Sequence, residues 1–220
     1  MFFCNLIFVR NKKIAFFAQN IAMKKLCYLF AVMLAFSCTR SESAGSGHKI
    51  FKYNEAAGLL TLDPIYAKDQ PHIWACNQLY NTLVSFDDDM NIVPSVAKEW
   101  TVSDDGLTYR FLLRDDVLFH SDSCFGGSVR KVVADDFVYS FNRLLDKKNS
   151  SPGTWVFSNV RHDDDGYAFR AINDSVFEIE LSRSFPAFLG ILSMSYASVV
   201  PFEAVDYYGV NFGRHPVGTG

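Results

Sequence analysis

The sequence predicts an α/β fold with mixed sheets and flanking helices. Three observations carry that prediction. Between Trp100 and Leu113 apolar and polar residues alternate on both sides of Asp104-Asp105-Gly106, and an Asp-Gly turn between alternating runs is a strong hairpin signal. Phe137, Phe141, Leu144 and Leu145 recur at i, i+4, i+7 and i+8, which is one apolar helix face. A second alternating run, Phe169 to Leu181, is divided by Asn173-Asp174-Ser175 and puts Phe177, Ile179 and Leu181 on one face.

The elements follow in order. Met23-Lys24-Lys25 precedes LCYLFAVMLAFSC, the form of a secretory signal, with positive charge before an apolar run. That run is shorter than the roughly 20 apolar residues a membrane helix needs. Met23 therefore reads as the start of the working chain and residues 1–22 as an upstream extension. Ala35-Phe36-Ser37-Cys38 resembles a bacterial lipoprotein box, with Ala35 and Phe36 where Leu and a small residue are usual. Two readings stand: lipidation at Cys38 with a membrane anchor, or ordinary cleavage of the signal. Thr39 to Gly47 is polar and reads as a flexible tether.

Lys49 to Glu55 alternates over part of its length and is expected to form a first strand. Asp63-Pro64 marks a turn, because the residue before proline is kept from the helical region. Leu79, Tyr80 and Leu83 suggest a short helix over Gln78 to Val84, ended by the polar cluster Asp87 to Asn91. After Ser151-Pro152-Gly153-Thr154 closes the central helical region, Phe185 to Met194 reads as a short apolar helix. Ala197 to Val200 reads as a buried strand. Pro201 opens a last helix carrying Phe202, Val205 and Tyr208.

Charge and motifs exclude several functions. Five of the 21 basic residues (Arg10, Lys12, Lys13, Lys24 and Lys25) precede Cys38, and no acidic residue does. The remainder holds 16 basic against 24 acidic residues, a net charge of −8, which argues against nucleic acid as a partner. His162-Asp163-Asp164-Asp165-Gly166 lacks the distal Glu of a calcium loop and reads as a solvated turn. His120 has no partner at metal-ligand spacing and reads as a strand-end residue. No metal site and no cofactor is expected. The sequence offers no nucleophile elbow, zinc-type His cluster or phosphate loop, so no catalytic residue is assigned. Cys76 and Cys124 are expected to be unpaired thiols.

Several segments fall into a familiar order. They are Leu79-Tyr80-Asn81-Thr82-Leu83-Val84, Pro94-Ser95-Val96-Ala97-Lys98-Glu99-Trp100, Asp105-Gly106-Leu107-Thr108-Tyr109-Arg110-Phe111 and Pro216-Val217-Gly218-Thr219-Gly220. From Ile50 to Gly220 the chain resembles the extracytoplasmic solute-binding proteins of peptide ABC transporters, solute-binding family 5. No single motif carries the resemblance; the ordered set does. It departs from the family at Val133, where relatives place a hydroxyl before the central helix. The loss of that cap weakens the helix start by ~1 kcal/mol. Cys124 to Lys131 is an insertion relative to the family's plain turn and is expected to be an exposed loop.

The resemblance implies a two-lobed periplasmic-binding-protein fold (type II), of which this sequence is the N-terminal part, the opposing lobe lying beyond it. It divides the chain into 1–37 (extension and signal), 38–47 (tether), 48–81 (first segment of lobe I), 82–176 (inserted subdomain) and 177–220 (return segment of lobe I). It implies a monomer that captures peptides by hinge closure and delivers them to a membrane permease with its ATPase. Nickel, haem and oligosaccharide binders share the fold, and a surface lipoprotein without a transport role is consistent with the same lipoprotein box. It places the loop after the first strand against the ligand, and so points to Tyr53, Asn54 and Glu55 as ligand-facing. The plainer reading of these three is a strand end with ordinary turn residues.

Overall fold

Asp69 and Pro71 start the first helix. In the computed structural model, which describes residues 52, 54–56 and 58–220, helix α1 spans Gln70–Leu79. The Asp69 carboxylate accepts the His72 backbone N–H, and Pro71 lies within the first turn. The chain divides into Met1–Tyr53 and Asn54–Gly220; of the first, Lys52 alone is among the described residues. The signal, the tether and Cys38 lie outside them.

The helix expected over Gln78 to Val84 is not formed. Tyr80 already has extended backbone, with φ −127° and ψ 148°, and Cys76 lies inside α1. The start signal sat upstream at Asp69, and the i, i+3 spacing of Tyr80 and Leu83 had no capping residue to support it. Leu83 and Val84 are buried in extended chain, where the Leu83 carbonyl accepts the N–H groups of Ser95 and Ala97. Strands β1 (Val84–Phe86) and β2 (Ile92–Pro94) form a hairpin. The Asp87 to Asn91 cluster is its turn. The Asp87 carboxylate accepts from the Asp89 and Asn91 amides, and Met90 takes φ 63°.

The two alternating runs build one sheet. Strands β3 (Ala97–Val102) and β4 (Thr108–Leu113) are the first hairpin. A two-stranded ribbon, β5 (His162–Asp163) and β6 (Gly166–Tyr167), intervenes before β7 (Phe169–Asn173) and β8 (Val176–Glu180) form the second. The order is β3-β4-β8-β7, with every neighbour antiparallel. Register sets Phe111 opposite Phe177 and Tyr109 opposite Ile179, so the apolar positions of both hairpins share one face.

Helix α2 (Ala134–Leu145) covers that face. Phe141 lies 5.6 Å from Phe177, 5.3 Å from Phe169 and 4.4 Å from Phe157, ring centre to ring centre, and Phe137 lies 5.6 Å from Phe177. Each such buried ring contributes roughly 1.5–3 kcal/mol over its exposed state. On the opposite face, Arg110, Arg170, Glu178 and Glu180 alternate in ion pairs of 2.7 to 3.5 Å. The Arg110 and Arg170 side chains are exposed, whereas Glu178 between them is buried and accepts from both.

Val133 caps α2 without a side-chain hydrogen bond. The start is held from within instead: the Asp136 carboxylate accepts the Val133 N–H at 2.8 Å and pairs with Arg130 at 2.7 Å. Arg130 also reaches Glu203 at 2.7 Å. Residues 126–129 of the inserted loop are exposed, as expected, whereas Arg130 turns inward.

The chain finishes with α3 (Phe188–Ile191), a 3-10 turn (Ser195–Ala197), α4 (Phe202–Tyr208) and a 3-10 helix (Gly209–Arg214). Ala197 to Val200 is wholly buried but is not a strand. Its amides find single partners: Val199 donates to the Asn81 carbonyl at 3.0 Å and Val200 to Ser140 Oγ at 2.9 Å. Burial demands satisfied backbone groups, and a ladder is only one way to supply them. Cys76 is buried, Cys124 half-buried, and both are free. Burial pushes both thiols up to about 12, so neither is a thiolate near neutrality. Among the described residues no helix is long and apolar enough to cross a membrane.

Candidate functional site

The segment assigned to the ligand runs from Tyr53 to Ala56. Tyr53 lies outside the described residues. Asn54 is exposed and Glu55 half-buried. Lys52, Asn54 and Glu55 carry no regular secondary structure; the rest of the strand expected over Lys49 to Glu55 lies outside the described residues.

What the structure makes plain is how this segment is held downstream. The Leu60 N–H donates to His72 Nε2 at 3.2 Å. Leu62 N–H donates to the Gly213 carbonyl at 2.7 Å. A Cβ on Gly213 would come within 2.0 Å of Thr61 Oγ1, so a larger residue here would have to displace the Thr61 side chain. Asp63 is 5% exposed and pairs with Arg143 through both oxygens, at 2.9 and 2.5 Å. Its Oδ1 also accepts the Ile65 N–H at 3.3 Å and so caps the 3-10 turn Pro64–Tyr66. The Arg143 guanidinium lies 5.4 Å from the Phe212 ring centre. Tyr66 Oη donates to the Asn149 carbonyl at 2.8 Å, and Ser151 Oγ to that of Ile65 at 2.6 Å. Burial pushes the Tyr66 phenol up, so it stays a donor at neutral pH. Residues 60–67 are thereby fixed to α2 and to Gly209–Arg214, and Asn54, Glu55 and Ala56 precede this base in the chain.

The terminal Pro216-Val217-Gly218-Thr219-Gly220 is fixed by the other end of α1. Gly220 N–H donates to the Leu79 carbonyl at 3.0 Å, and Asn81 Nδ2 to that of Thr219 at 3.0 Å. A Cβ on Gly218 would sit 1.8 Å from the Leu79 oxygen. His120 contributes twice: its backbone N–H donates to the Gly218 carbonyl at 2.8 Å, and its Nε2 lies 2.7 Å from the Gly220 oxygen. The sequence identified this motif by resemblance; the close backbone approach is the physical reason its glycines are there.

An open cleft of about 380 Å³ is lined by Tyr139, Asn142, Arg143, Asp146, Asn149 and Val205. The sequence reading passed over it. The signal was available, since Tyr139, Asn142, Arg143 and Asp146 recur at i, i+3, i+4 and i+7 beside the apolar stripe of α2. Four of its polar residues are already engaged: Arg143 with Asp63, Asn142 Nδ2 with the Val138 carbonyl, Asn149 Nδ2 with the Arg143 carbonyl, and Asp146 with the Lys148 amide. It is a stiff polar wall rather than a set of free ligand groups. His162 to Gly166 lies on the exposed β5–β6 ribbon, with the His162 ring 4.4 Å from that of Tyr167. Among the described residues no three His, Cys, Asp or Glu side chains converge in a way that could hold a metal ion.

Comparisons with known proteins agree with this architecture. The profile of the bacterial extracellular solute-binding proteins, family 5 middle region, matches residues 91–220. Heme-binding protein A of Haemophilus influenzae is 32% identical over 197 residues, which cover 84% of this chain and 36% of the relative. The peptide transport periplasmic protein SapA of Salmonella typhimurium is 34% identical over 154 residues, covering 65% of this chain and 28% of the relative. Among solved structures, the ABC transporter-associated periplasmic binding protein DppA from Helicobacter pylori, in complex with a peptide, gives a TM-score of 0.62 at 28% identity. That match covers 73% of this chain and 33% of the other. The chain spans about a third of the length of these relatives.

Proposed function

The chain belongs to family 5 of the bacterial extracellular solute-binding proteins, and on that premise we propose that it is the extracytoplasmic substrate-binding component of a peptide ABC transporter. The observation that carries this reading is the family match joined to relatives named for peptides: a peptide transport periplasmic protein by sequence and a peptide-bound binding protein by structure. The matched relatives are named for binding or transport, and no catalytic role is assigned.

In this reading the described residues supply part of one lobe. Asp63, Arg143 and Gly213 fix the base from which Tyr53, Asn54 and Glu55 reach the ligand, and the four-stranded sheet with α2 gives that base its stiffness. A second lobe closes over the peptide by a hinge, burying it and making the loaded form distinct for the permease. Peptide backbone groups are read by hydrogen bonds and side chains sit in hydrated space, which permits many sequences. Cys38 carries the lipid that holds the mature protein, a monomer, at the membrane.

Uptake of a labelled peptide by intact cells tests the transport reading. Saturable uptake that disappears on gene deletion supports it, and unchanged uptake overturns it. Incorporation of labelled fatty acid into wild type but not into Cys38→Ala tests the anchor. Haem is the second reading, favoured by the 32% identity to Heme-binding protein A. A Soret shift on titration with haemin, without competition from peptides, would select it.

A further inference from the structure

Leu60 and His72 define a contact whose polarity is fixed by chemistry. A backbone amide can only donate, so His72 Nε2, 3.2 Å from the Leu60 nitrogen, is the acceptor and carries no proton. The remaining proton is then on Nδ1, which lies 2.5 Å from Asp69 Oδ1. The same oxygen accepts the His72 backbone N–H at 3.2 Å, so the residue that caps α1 also fixes the tautomer. His72 is 8% exposed, which leaves its ring little room to exchange this partner for water. Few charged groups face it. Asp69 is on its own helix start with Lys68 beside it, and Tyr196, from the 3-10 turn Ser195–Ala197, senses the Asp69 charge.

We propose that His72 is a proton-sensitive latch on the Leu60 backbone amide. With Nε2 free, the latch holds the Leu60 backbone amide on α1, while the Leu60 side chain is exposed. A proton on Nε2 makes both ring nitrogens donors, sets N–H against N–H at Leu60, and leaves Asp69 as the partner of the imidazolium. The lost hydrogen bond releases the Leu60 amide, a few residues downstream of Asn54 and Glu55. Histidine is the side chain whose ordinary titration falls in the mildly acidic range that an extracytoplasmic protein meets. The effect on ligand binding rests on the reading of that segment as ligand-facing; the latch itself does not.

The test uses the full chain and NMR. Long-range nitrogen correlations of the His72 ring at pH 7.5 should show the Nδ1–H tautomer, and the Nε2–H tautomer would overturn the proposal without any variant. Exchange of the Leu60 amide with water, corrected for its intrinsic pH dependence, should speed up about fivefold to tenfold between pH 7.5 and 5.5, the scale of one lost hydrogen bond. His72→Gln keeps an acceptor oxygen that does not titrate, and should abolish the acceleration. Equal acceleration in both proteins, or none in the wild type, would overturn the latch. Affinity for trialanine is measured on the same samples. A fall with acid that His72→Gln prevents ties the latch to the ligand. A latch that opens without changing affinity supports the latch and refutes the placement of the ligand at Asn54 and Glu55.

Discussion

Replacing Asp136 by Asn should flatten part of the protein's stability against pH. Asp136 is 2% exposed, accepts the Val133 amide at 2.8 Å and shares Arg130 with Glu203. Burial is the dominant influence and pushes its carboxyl from the ordinary 3.8 up to about 6, against the opposing pull of the Val133 amide and Arg130. Arg130 in turn is pushed up by its two carboxylates, so the pair attracts, but the attraction does not repay the carboxylate's desolvation. A carboxyl that holds its proton more tightly when folded stabilises the fold at low pH. That contribution is complete below about pH 4 and is lost as the pH rises through 6. It amounts to on the order of 3 kcal/mol. Asp69, Asp87, Asp105, Asp116 and Asp122 shift the other way, so the informative quantity is the difference between two proteins. Urea unfolding of the wild type and of Asp136→Asn at pH 4, 5, 6 and 7 should give a difference that moves by about 2–3 kcal/mol in favour of the variant towards pH 7. A difference that stays constant, or moves towards the wild type, would show that the Asp136–Arg130 attraction outweighs burial and that the reasoning is wrong.

Three other substitutions have calculable outcomes. Arg143→Ala leaves the buried Asp63 carboxylate without its guanidinium partner and should cost about 3–5 kcal/mol in urea unfolding at pH 7. Phe141→Ala empties the ring cluster between α2, Phe157, Phe169 and Phe177 and should cost about 3–5 kcal/mol, read as a lower thermal midpoint. Gly218→Ala drives a methyl group into the Leu79 carbonyl; it should release Pro216 to Gly220, seen as faster amide exchange at Gly220, while the exchange of β4 and β8 is unchanged.

The parts of this molecule that were legible in the sequence are those where a local rule and the tertiary environment agree. Around Asp105-Gly106 the turn residues, the period of two and the buried face all specify the same hairpin, and Phe111 meets Phe177 as the alternation requires. Phe137, Phe141 and Leu144 were readable for the same reason. The failures occurred where one of those signals was read alone. Tyr80 and Leu83 have helical spacing, but the capping residue of the real helix is Asp69, and Tyr80 is extended because Leu79 and Asn81 must meet Thr219 and Gly220. That constraint comes from 138 residues away, and no local window contains it.

The same argument explains why the candidate site was only partly visible. The base beneath it rests on Asp63, an ordinary turn residue in sequence, directly before proline. It acquires its role from Arg143, 80 residues later, on the flank of a helix whose apolar stripe drew all the attention. Packing of α2 on the sheet turns that flank towards Asp63 and Phe212. A hydrophobic period therefore does more than identify a core face. Once the core face is assigned, it also fixes which polar residues of the same helix lie beside the base of the site, and Tyr139, Asn142, Arg143 and Asp146 follow from it at their helical spacing. Their partners do not follow, because pairing across such a distance depends on the rest of the fold.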